Sequence, residues 1–404
     1  MLGKTNITAL QEGAIVTEIA DYGWMKQDIG ITDNFIQVIC KNGYLVGITS
    51  GGKIAHTKDG EVWEISEVTH SSLFGLYDIE WNGEYFFICG WHIKDGRERG
   101  IIFKTTDFSA FEILDSTAID NLFSDLDDVS VRYSQILYSG SKYILAVVLA
   151  DYNRFNHSTY AIITDFSTYS NKITVHLGSI YAPVFTKKSD SILCSYIETG
   201  SVTYSHPVTL KIVNQNVLSK TYEEICGQSR SYQGGITVSV PVFSCRDSFY
   251  ASSQYGNCSE GLEYDYSLAR CSEGTGIKLS NGTDFGFISG CYFSGKYVFL
   301  NKTSILVFSK ESEITGKTLD DLIDIGSETE LSIIIGAFNK LFIFGNGGLI
   351  LKSTNEVNNN EAITVQYLSA KQALAQSKTY TDEQISTLEA RVSALEAFHQ
   401  EETT

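Results

Sequence analysis

Residues 35–65 read FIQVICKNGYLVGITSGGKIAHTKDGEVWEI. Asn42 and Gly43 stand between two apolar runs, and Asn-Gly in that setting is the strongest short-range signal for a β-hairpin. Two further turns follow at 51–52 and 59–60, where glycine supplies the left-handed backbone conformations that tight turns need. The stretch therefore predicts four consecutive antiparallel strands joined by short turns.

The same unit recurs along the chain. Six further copies place an apolar strand, a turn and a second apolar strand in the same order, with 40 to 57 residues between successive turns. Propeller repeats have about 40–50 residues, and each forms one four-stranded blade. A parallel β-helix is disfavoured, since its repeat is far shorter. The seven turns stand at Gly43, Gly83, Gly140, Asp190, Asp247, Gly295 and Asn339.

The repeat predicts an all-β fold, a β-propeller of seven four-stranded blades. The copies around Asp190 and Asp247 are weak, which leaves six or eight blades as alternatives. The composition agrees, since 34 Gly, 23 Tyr and 22 Phe against 3 Pro suit many short strands and tight turns.

The formal net charge of the chain is −18. A strongly acidic surface opposes contact with phosphate backbones and anionic lipid, so nucleic acid is not expected as a partner. No apolar stretch approaches the roughly 18 residues of a membrane span, and membrane insertion is not expected either. The first residues lack the apolar region of a signal peptide, which predicts synthesis in the cytoplasm without export through the secretory pathway.

Eight cysteines raise the question of metal sites and disulfides. Cys40, Cys89 and Cys194 end apolar runs, where a reduced cysteine acts as a small buried hydrophobe. Between 226 and 291 the cysteines are 13 to 20 residues apart, unlike the two-to-four-residue spacing of a zinc knuckle. We expect free structural thiols, no metal and no cofactor, with a disulfide or metal role for 226–291 as the alternative.

The composition changes at Ser369, after which the chain is rich in Ala, Gln, Glu and Leu and contains no Gly or Pro. An isolated helix of this length is marginal in water, so its apolar stripe needs a partner. Apolar side chains occupy a and d positions of a coiled-coil heptad at Leu374, Ile385, Leu388, Val392 and Leu395.

Three parts of the chain are therefore expected: an N-terminal segment for attachment or blade closure (1–30), the propeller (31–368) and a coiled-coil oligomerisation helix (369–404). We expect the helix to associate with copies of itself, with a homotrimer favoured over a dimer. Packing of the helix against the propeller is the alternative.

Two stretches carry a resemblance to known proteins. Residues 370–397, AKQALAQSKTYTDEQISTLEARVSALEA, resemble helical segments of tailed-bacteriophage tail-fibre, baseplate and head-fibre proteins. The opening ITALQEGAIVTEI (7–19), followed by NGYLVGITSGGKIAHTKDGEVW (42–63), resembles propeller domains of phage tail proteins. The resemblance implies a virion protein, in contact with other virion proteins, that recognises a host cell-surface glycan or protein as a tail, baseplate or fibre component. A head-decorating fibre protein is the alternative.

The turn at HTKDGEVW (56–63) resembles the Asp-box, or BNR-type, turn of sialidase-like propellers through Thr57, Asp59, Gly60 and Trp63, and it is one residue shorter than the usual form. Such boxes hold a hairpin and imply a fold rather than a reaction. The Arg-Ile-Pro signature of sialidases is absent, and no P-loop, GxSxG or HExxH motif occurs. We expect no enzymatic activity, with a sialidase-like glycosidase acting on surface glycans as the alternative.

Propeller topology separates the turns onto two faces. The loops between second and third strands lie on one face, and the sequence predicts long loops there at 90–100, 150–159 and 254–267. Aromatic rings stack on sugars, and arginine and lysine bind carboxylate or phosphate. Packing of the aromatic side chains against the sheet or against another virion protein is the alternative to a ligand role. The candidate ligand-binding residues on these loops are Trp91, Lys94, Arg97, Arg99, Tyr152, Arg154, Phe155, Tyr264 and Tyr266.

Overall fold

A computed structural model describes residues 24–353 apart from several gaps. The gaps are 71, 73, 115–116, 124–128, 141, 152–155, 180–182, 189–190, 200–202, 215–216, 223–241, 247, 258–262, 273–274, 279–285, 318–320 and 326–329. The chain separates into two compact units, Met1–Glu356 and Val357–Thr404. The predicted coiled-coil residues Leu374, Ile385, Leu388, Val392 and Leu395 lie outside the described residues.

The described residues form seven four-stranded antiparallel sheets. The first contains β2 (Phe35–Lys41), β3 (Tyr44–Thr49), β4 (Lys53–Thr57) and β5 (Glu64–Glu67). The second contains β6 (Phe74–Trp81), β7 (Phe86–Lys94), β8 (Arg97–Thr105) and β9 (Glu112–Ile113). The third contains β10 (Ser130–Ser139), β11 (Lys142–Asp151), β12 (Asn156–Thr164) and β13 (Tyr169–Ser179).

The remaining sheets follow the same order along the chain. The fourth contains β14 (Val184–Lys188), β15 (Ser191–Thr199), β16 (Thr203–Asn214) and β17 (Val217–Tyr222). The fifth contains β18 (Val242–Cys245), β19 (Ser248–Asn257), β20 (Glu263–Ser272) and β21 (Thr275–Lys278). The sixth contains β22 (Ser289–Phe293), β23 (Lys296–Leu300), β24 (Ser304–Phe308) and β25 (Ile323–Asp324). The seventh contains β26 (Leu331–Ala337), β27 (Lys340–Gly345), β28 (Ile350–Ser353) and β1 (Trp24–Gln27).

Helical structure among the described residues is confined to short segments. Thr117–Asp120 is α-helical, and Asn121–Phe123, Glu311–Gly316 and Asn346–Gly348 are 3-10 turns.

The sheets follow one another in a ring. The first strand of each sheet contacts the first strand of the next, from β2 through β6, β10, β14, β18 and β22 to β26, and β26 contacts β2. Sheets arranged radially around a common centre are the architecture of a β-propeller. The predicted all-β, propeller-like fold is therefore confirmed, and each of the seven predicted turns lies between the first two strands of one sheet.

The hairpin between β2 and β3 has the geometry that its sequence predicts. Asn42 and Gly43 both adopt positive φ, 52° and 73°. Two successive positive φ values match a type I′ turn, whose twist follows that of the flanking strands.

Aromatic packing joins the seventh sheet to the first. Phe344 on β27 is fully buried, and its ring centre lies 5.0 Å from that of Phe35 and 6.1 Å from that of Trp63. The indole nitrogen of Trp63 donates to Gln27 Oε1 at 3.0 Å. Gln27 belongs to β1, which pairs antiparallel with β28, so the strand that begins the described chain is the outer strand of the last sheet.

The turn between β4 and β5 is held by two side chains. Thr57 Oγ1 accepts the backbone N–H of Gly60 at 2.9 Å, and Asp59 Oδ1 accepts those of Glu61 and Val62 at 2.7 and 2.9 Å. These backbone donors hold the pKa of Asp59 below its usual range. Equivalent turns use Thr105 with Asp107 and Thr164 with Asp165.

Asp165 provides a test of these turns. Lys142 Nζ lies 2.9 Å from Asp165 Oδ2, and this bond, together with bonds from Thr168, lowers the pKa of Asp165 from 3.8 to about 2. We expect Lys142→Met to raise the carboxyl pKa toward 3.8, as measured by an NMR titration, while the pKa of Asp107 stays unchanged. Since the folded pKa is the lower one, the stabilisation is present above pH 3.8 and is lost as the pH falls toward 2. An unchanged titration of Asp165 would contradict the contact.

Candidate functional site

The innermost strands of four sheets, β2, β6, β10 and β26, carry a β-bulge at the same place, and in the first three of them a polar residue follows it. The pairing register shifts just before Gln37 on β2, Asp78 on β6 and Gln135 on β10. A bulge turns the following side chain away from the regular alternation of a strand. The three polar side chains meet as a result: Gln37 Nε2 donates to Asp78 Oδ1 at 3.0 Å, and Gln135 Nε2 donates to Asp78 Oδ2 at 2.8 Å.

A lysine from the fourth sheet completes this cluster. Lys187 Nζ on β14 lies 2.8 Å from Asp78 Oδ2 and 3.0 Å from Glu80 Oε2. The same ammonium donates to the carbonyl oxygens of Ile79 and Ile136 at 2.6 and 3.0 Å. One cation, on a side chain that is 12% exposed, therefore joins the second, third and fourth sheets, and Gln37 adds the first.

The pKa values of the charged groups in this cluster are shifted by burial and by the neighbouring charges. Burial by itself lowers the pKa of Lys187, but the carboxylates of Asp78 and Glu80 outweigh it and the pKa is raised. Burial raises the pKa of Asp78, and the contact with Lys187 offsets part of that effect. Asp78 is fully enclosed, with no exposed surface, and it bonds to Lys187, two glutamines and a backbone N–H. Both carboxylates are thus engaged in holding the inner strands together.

A cavity of about 470 Å³ lies next to this cluster. It is lined by residues from the first strands of six sheets, so it lies at the centre of the ring, which we call the axial cavity. The lining residues on β2, β6 and β10 are the last ones before the first hairpin of each sheet, so the cavity lies toward the face that carries these hairpins. Its polar and aromatic lining includes Gln37, Glu80, Trp81, Tyr138, Lys187 and Ser244.

This lining has the chemistry of a site for a neutral polar ligand. Trp81 and Tyr138 offer aromatic surface. Gln37, Glu80 and Ser244 bring an amide, a carboxylate and a hydroxyl to the lining, and the first two are already bonded to Asp78 and Lys187. Ligand sites combine apolar and aromatic walls with a few fixed polar groups, and sugars present both kinds of surface. The bonded cluster beneath the cavity holds the polar groups in place, which preserves their geometry for a ligand.

The predicted loop at 90–100 is instead part of a long hairpin. β7 and β8 extend to a two-residue turn at Asp95 and Gly96, so Trp91, Lys94 and Arg97 lie on strands. The loop prediction is wrong because the polar residues at the ends of these strands face the surface of the blade, where a strand tolerates them as readily as a loop does. Similarly, β20 contains Tyr264 and Tyr266, which were predicted to be in a loop.

Trp91 contacts other residues of the protein. The guanidinium of Arg132 lies 5.6 Å from the centre of the Trp91 ring. Arg132 also binds Glu98 through two bonds, at 2.7 and 2.9 Å, and donates to the Tyr77 hydroxyl at 3.3 Å. Trp91 therefore belongs to a packed contact between the second and third sheets.

Of the other predicted binding residues, the structure describes the side chains of Lys94, Arg97 and Arg99. Arg99 donates to the carbonyl oxygen of Val129 at 3.1 Å, and Lys94 and Arg97 are exposed near the hairpin turn. Tyr152, Arg154 and Phe155 lie outside the described residues, and for Tyr264 and Tyr266 only the backbone is described.

The sequence contains a separate signal for the cluster of Gln37, Asp78, Gln135 and Lys187, which we call the axial cluster. Gln37, Asp78 and Gln135 each interrupt an apolar first strand a few residues before its hairpin turn. A polar residue at the same place in the first strand of successive repeats predicts that these side chains meet at the centre of the ring. Lys187 gave no such signal, since its partner Asp78 is 109 residues away in the chain.

No family model matches the chain, and no curated protein matches its sequence. Among solved structures, a catalytically inactive virginiamycin B lyase from Staphylococcus aureus is 11% identical, covers 82% of this chain and 99% of its own, and has a TM-score of 0.46. The WD40 β-propeller domain of Doa1 is also 11% identical, covers 83% and 98%, and has a TM-score of 0.48. BamB from Moraxella catarrhalis is 10% identical, covers 83% and 97%, and has a TM-score of 0.40. Likeness at this level carries no information on activity.

The described part of the chain shows neither a metal site nor a membrane-spanning helix. No group of three or more His, Cys, Asp and Glu side chains there is arranged to hold a metal ion. No helix there has the length and apolar character needed to cross a membrane.

Proposed function

We propose that this protein is a non-enzymatic recognition component of a tailed-phage virion and binds a saccharide of the host surface in the axial cavity. In this proposal the chain forms a seven-bladed propeller followed by a coiled-coil helix that makes a homotrimer. The protein is a tail, baseplate or fibre component in contact with other virion proteins.

The axial cavity is the observation that carries the proposal. It combines Trp81 and Tyr138 with amide, carboxylate and hydroxyl groups in a space of about 470 Å³. A volume in the range of roughly 300–1,000 Å³ suits a ligand of one to a few sugar rings. A ring of sheets also holds the site rigidly, which reduces the entropy lost when a ligand binds.

The bonds of Asp78 and Glu80 to Lys187 support recognition of a saccharide rather than its hydrolysis. A glycosidase needs one carboxylic acid and one carboxylate that are free to exchange protons or attack the sugar. Asp78 and Glu80 both bind Lys187, at 2.8 and 3.0 Å, and Asp78 has no exposed surface. These two groups therefore act as supports for the cavity.

The virion role is supported by the sequence. The heptad positions from Leu374 to Leu395 favour self-association, and the segment 370–397 resembles helices of phage structural proteins. Several copies on one particle would add avidity, so a weak site on each propeller suffices for attachment.

Binding to an array of bacterial surface saccharides tests the proposal with the full-length protein. We expect a subset of saccharides to bind, and we expect Trp81→Ala to weaken that binding by about thirtyfold, since a central aromatic anchor contributes about 2 kcal/mol. Trp81→Phe keeps an aromatic ring and should retain most of the affinity. Tyr169→Ala, at an exposed position on β13, is the matched control and should bind as wild type does.

Three outcomes would overturn this assignment. They are an array without any bound saccharide, equal binding by Trp81→Ala and wild type at equal thermal stability, and release of sugar from a bound saccharide.

A further inference from the structure

The β7–β8 hairpin carries a concentration of basic side chains on one face. His92 pairs with Arg99 and Lys94 pairs with Arg97 across the two strands. Residues directly opposite each other in an antiparallel pair project to the same face of the sheet. Four basic residues therefore share one face of a single hairpin, in a chain whose formal net charge is −18.

A cleft of about 260 Å³ adjoins this face. His70, His92 and Lys94 line it, and the two imidazole rings are 4.8 Å apart between their centres and nearly perpendicular. Ser72 Oγ lies 2.9 Å from Nδ1 of His70 and 3.5 Å from Nδ1 of His92. In both rings Nδ1 thus faces Ser72, and no described residue bonds either Nε2 atom.

The charges that face His92 oppose its protonation. Burial lowers the pKa of His92 below 6.5, and the neighbouring His70 and Lys94 lower it further. Asp120 is the acidic residue that lines the cleft, and it accepts a hydrogen bond from the Tyr133 hydroxyl at 2.8 Å. Asp95 stands at the exposed tip of the hairpin, beside Lys94 along the chain.

We propose that this cleft is a second binding site, separate from the axial cavity, which takes an anionic group such as a phosphate, sulfate or carboxylate and binds it more tightly as the pH falls. The anion lies between the two imidazoles and Lys94. Arg97 and Arg99 add positive charge along the same face of the hairpin.

The pH dependence follows from the charge of the imidazoles. A protonated imidazole attracts an anion more strongly than a neutral one and donates a charge-assisted hydrogen bond to it. Binding and protonation favour each other reciprocally, so the bound anion raises the pKa of His92. Affinity is therefore low well above the pKa of His92 and rises as the pH falls through it.

Sulfate is the probe for the experiment, because its charge does not change between pH 5.5 and 7.5. We expect the full-length protein to bind sulfate about tenfold more tightly at pH 5.5 than at pH 7.5 at constant ionic strength, the gain from about one charge-assisted hydrogen bond. Calorimetry gives the affinities, and an NMR titration of the His92 ring should show its pKa rising when sulfate is present. Glucuronate at the same two pH values tells whether a carboxylate is preferred over a sulfate- or phosphate-like group.

Variants separate the roles of the residues. The double variant His70→Gln/His92→Gln should bind sulfate with the same weak affinity at both pH values, whereas Lys94→Met should weaken binding at both and keep the pH dependence. Lys302→Met removes an exposed lysine on the sixth sheet and should change nothing. Affinity that is equal at both pH values in the wild type, or pH dependence that persists in the double variant, would overturn the proposal. So would an equal loss of binding in Lys302→Met, which would indicate unspecific attraction.

Discussion

Replacing Lys187 with methionine is expected to lower the free energy of unfolding by about 3–5 kcal/mol. The substitution removes the cation that faces Asp78 and Glu80 and leaves a carboxylate with no exposed surface uncompensated. The measurement is chemical denaturation of the full-length protein, followed by circular dichroism.

Two variants show whether the loss comes from the buried charge. Lys302→Met breaks an ion pair with Glu330 whose side chains are 64% and 57% exposed, so it should cost less than about 1 kcal/mol. Combining Lys187→Met with Asp78→Asn removes the buried charge and should recover most of the lost stability. A loss below about 1 kcal/mol in Lys187→Met alone would mean that the axial cluster does not hold the sheets together.

Replacing Phe344 with alanine is expected to destabilise the protein by about 3–5 kcal/mol, the usual loss for a large aromatic side chain in a core. Phe344 is fully buried and lies between the seventh and first sheets, 5.0 Å from the Phe35 ring and 6.1 Å from that of Trp63. Its removal opens a cavity where the two ends of the ring meet. Thermal and chemical denaturation both report the loss.

The control for this variant is an aromatic residue outside the contact between the seventh and first sheets. Tyr169 is 46% exposed on β13, and Tyr169→Ala should change stability by less than about 0.5 kcal/mol. If Phe344→Ala were as mild as Tyr169→Ala, the contact between the last and first sheets would not close the ring.

The repeated strands can be predicted from the sequence because the signals for them are local. Asn42 and Gly43 specify a hairpin from two adjacent residues, and the alternation of apolar side chains specifies the strands on either side. Even the weak copies around Asp190 and Asp247 correspond to four-stranded sheets.

The site was harder to predict because it depends on distant parts of the chain. Lys187 and Asp78 are brought together by the ring and not by any local pattern. The bulges that aim Gln37 and Gln135 inward shift the pairing register by one residue, which an alternating pattern does not reveal. The loop predicted at 90–100 is longer than the observed two-residue turn for a related reason, since the polar residues near Lys94 continue the strands.

Fluorine-labelled tryptophan can show which face of the ring binds the saccharide. The chain has four tryptophans, of which Trp81 lines the axial cavity and Trp91 packs against Arg132. Single Trp→Phe variants assign the four resonances, and the other two, Trp24 and Trp63, report on the outer strand and on the ring closure.

Fluorine NMR of the labelled full-length protein, with the saccharide that binds on the array, tests the account most directly. We expect a saturable shift of the Trp81 resonance, with Trp24, Trp63 and Trp91 unchanged. A shift of Trp91 without one of Trp81 would contradict an axial site and would place binding at the β7–β8 hairpin.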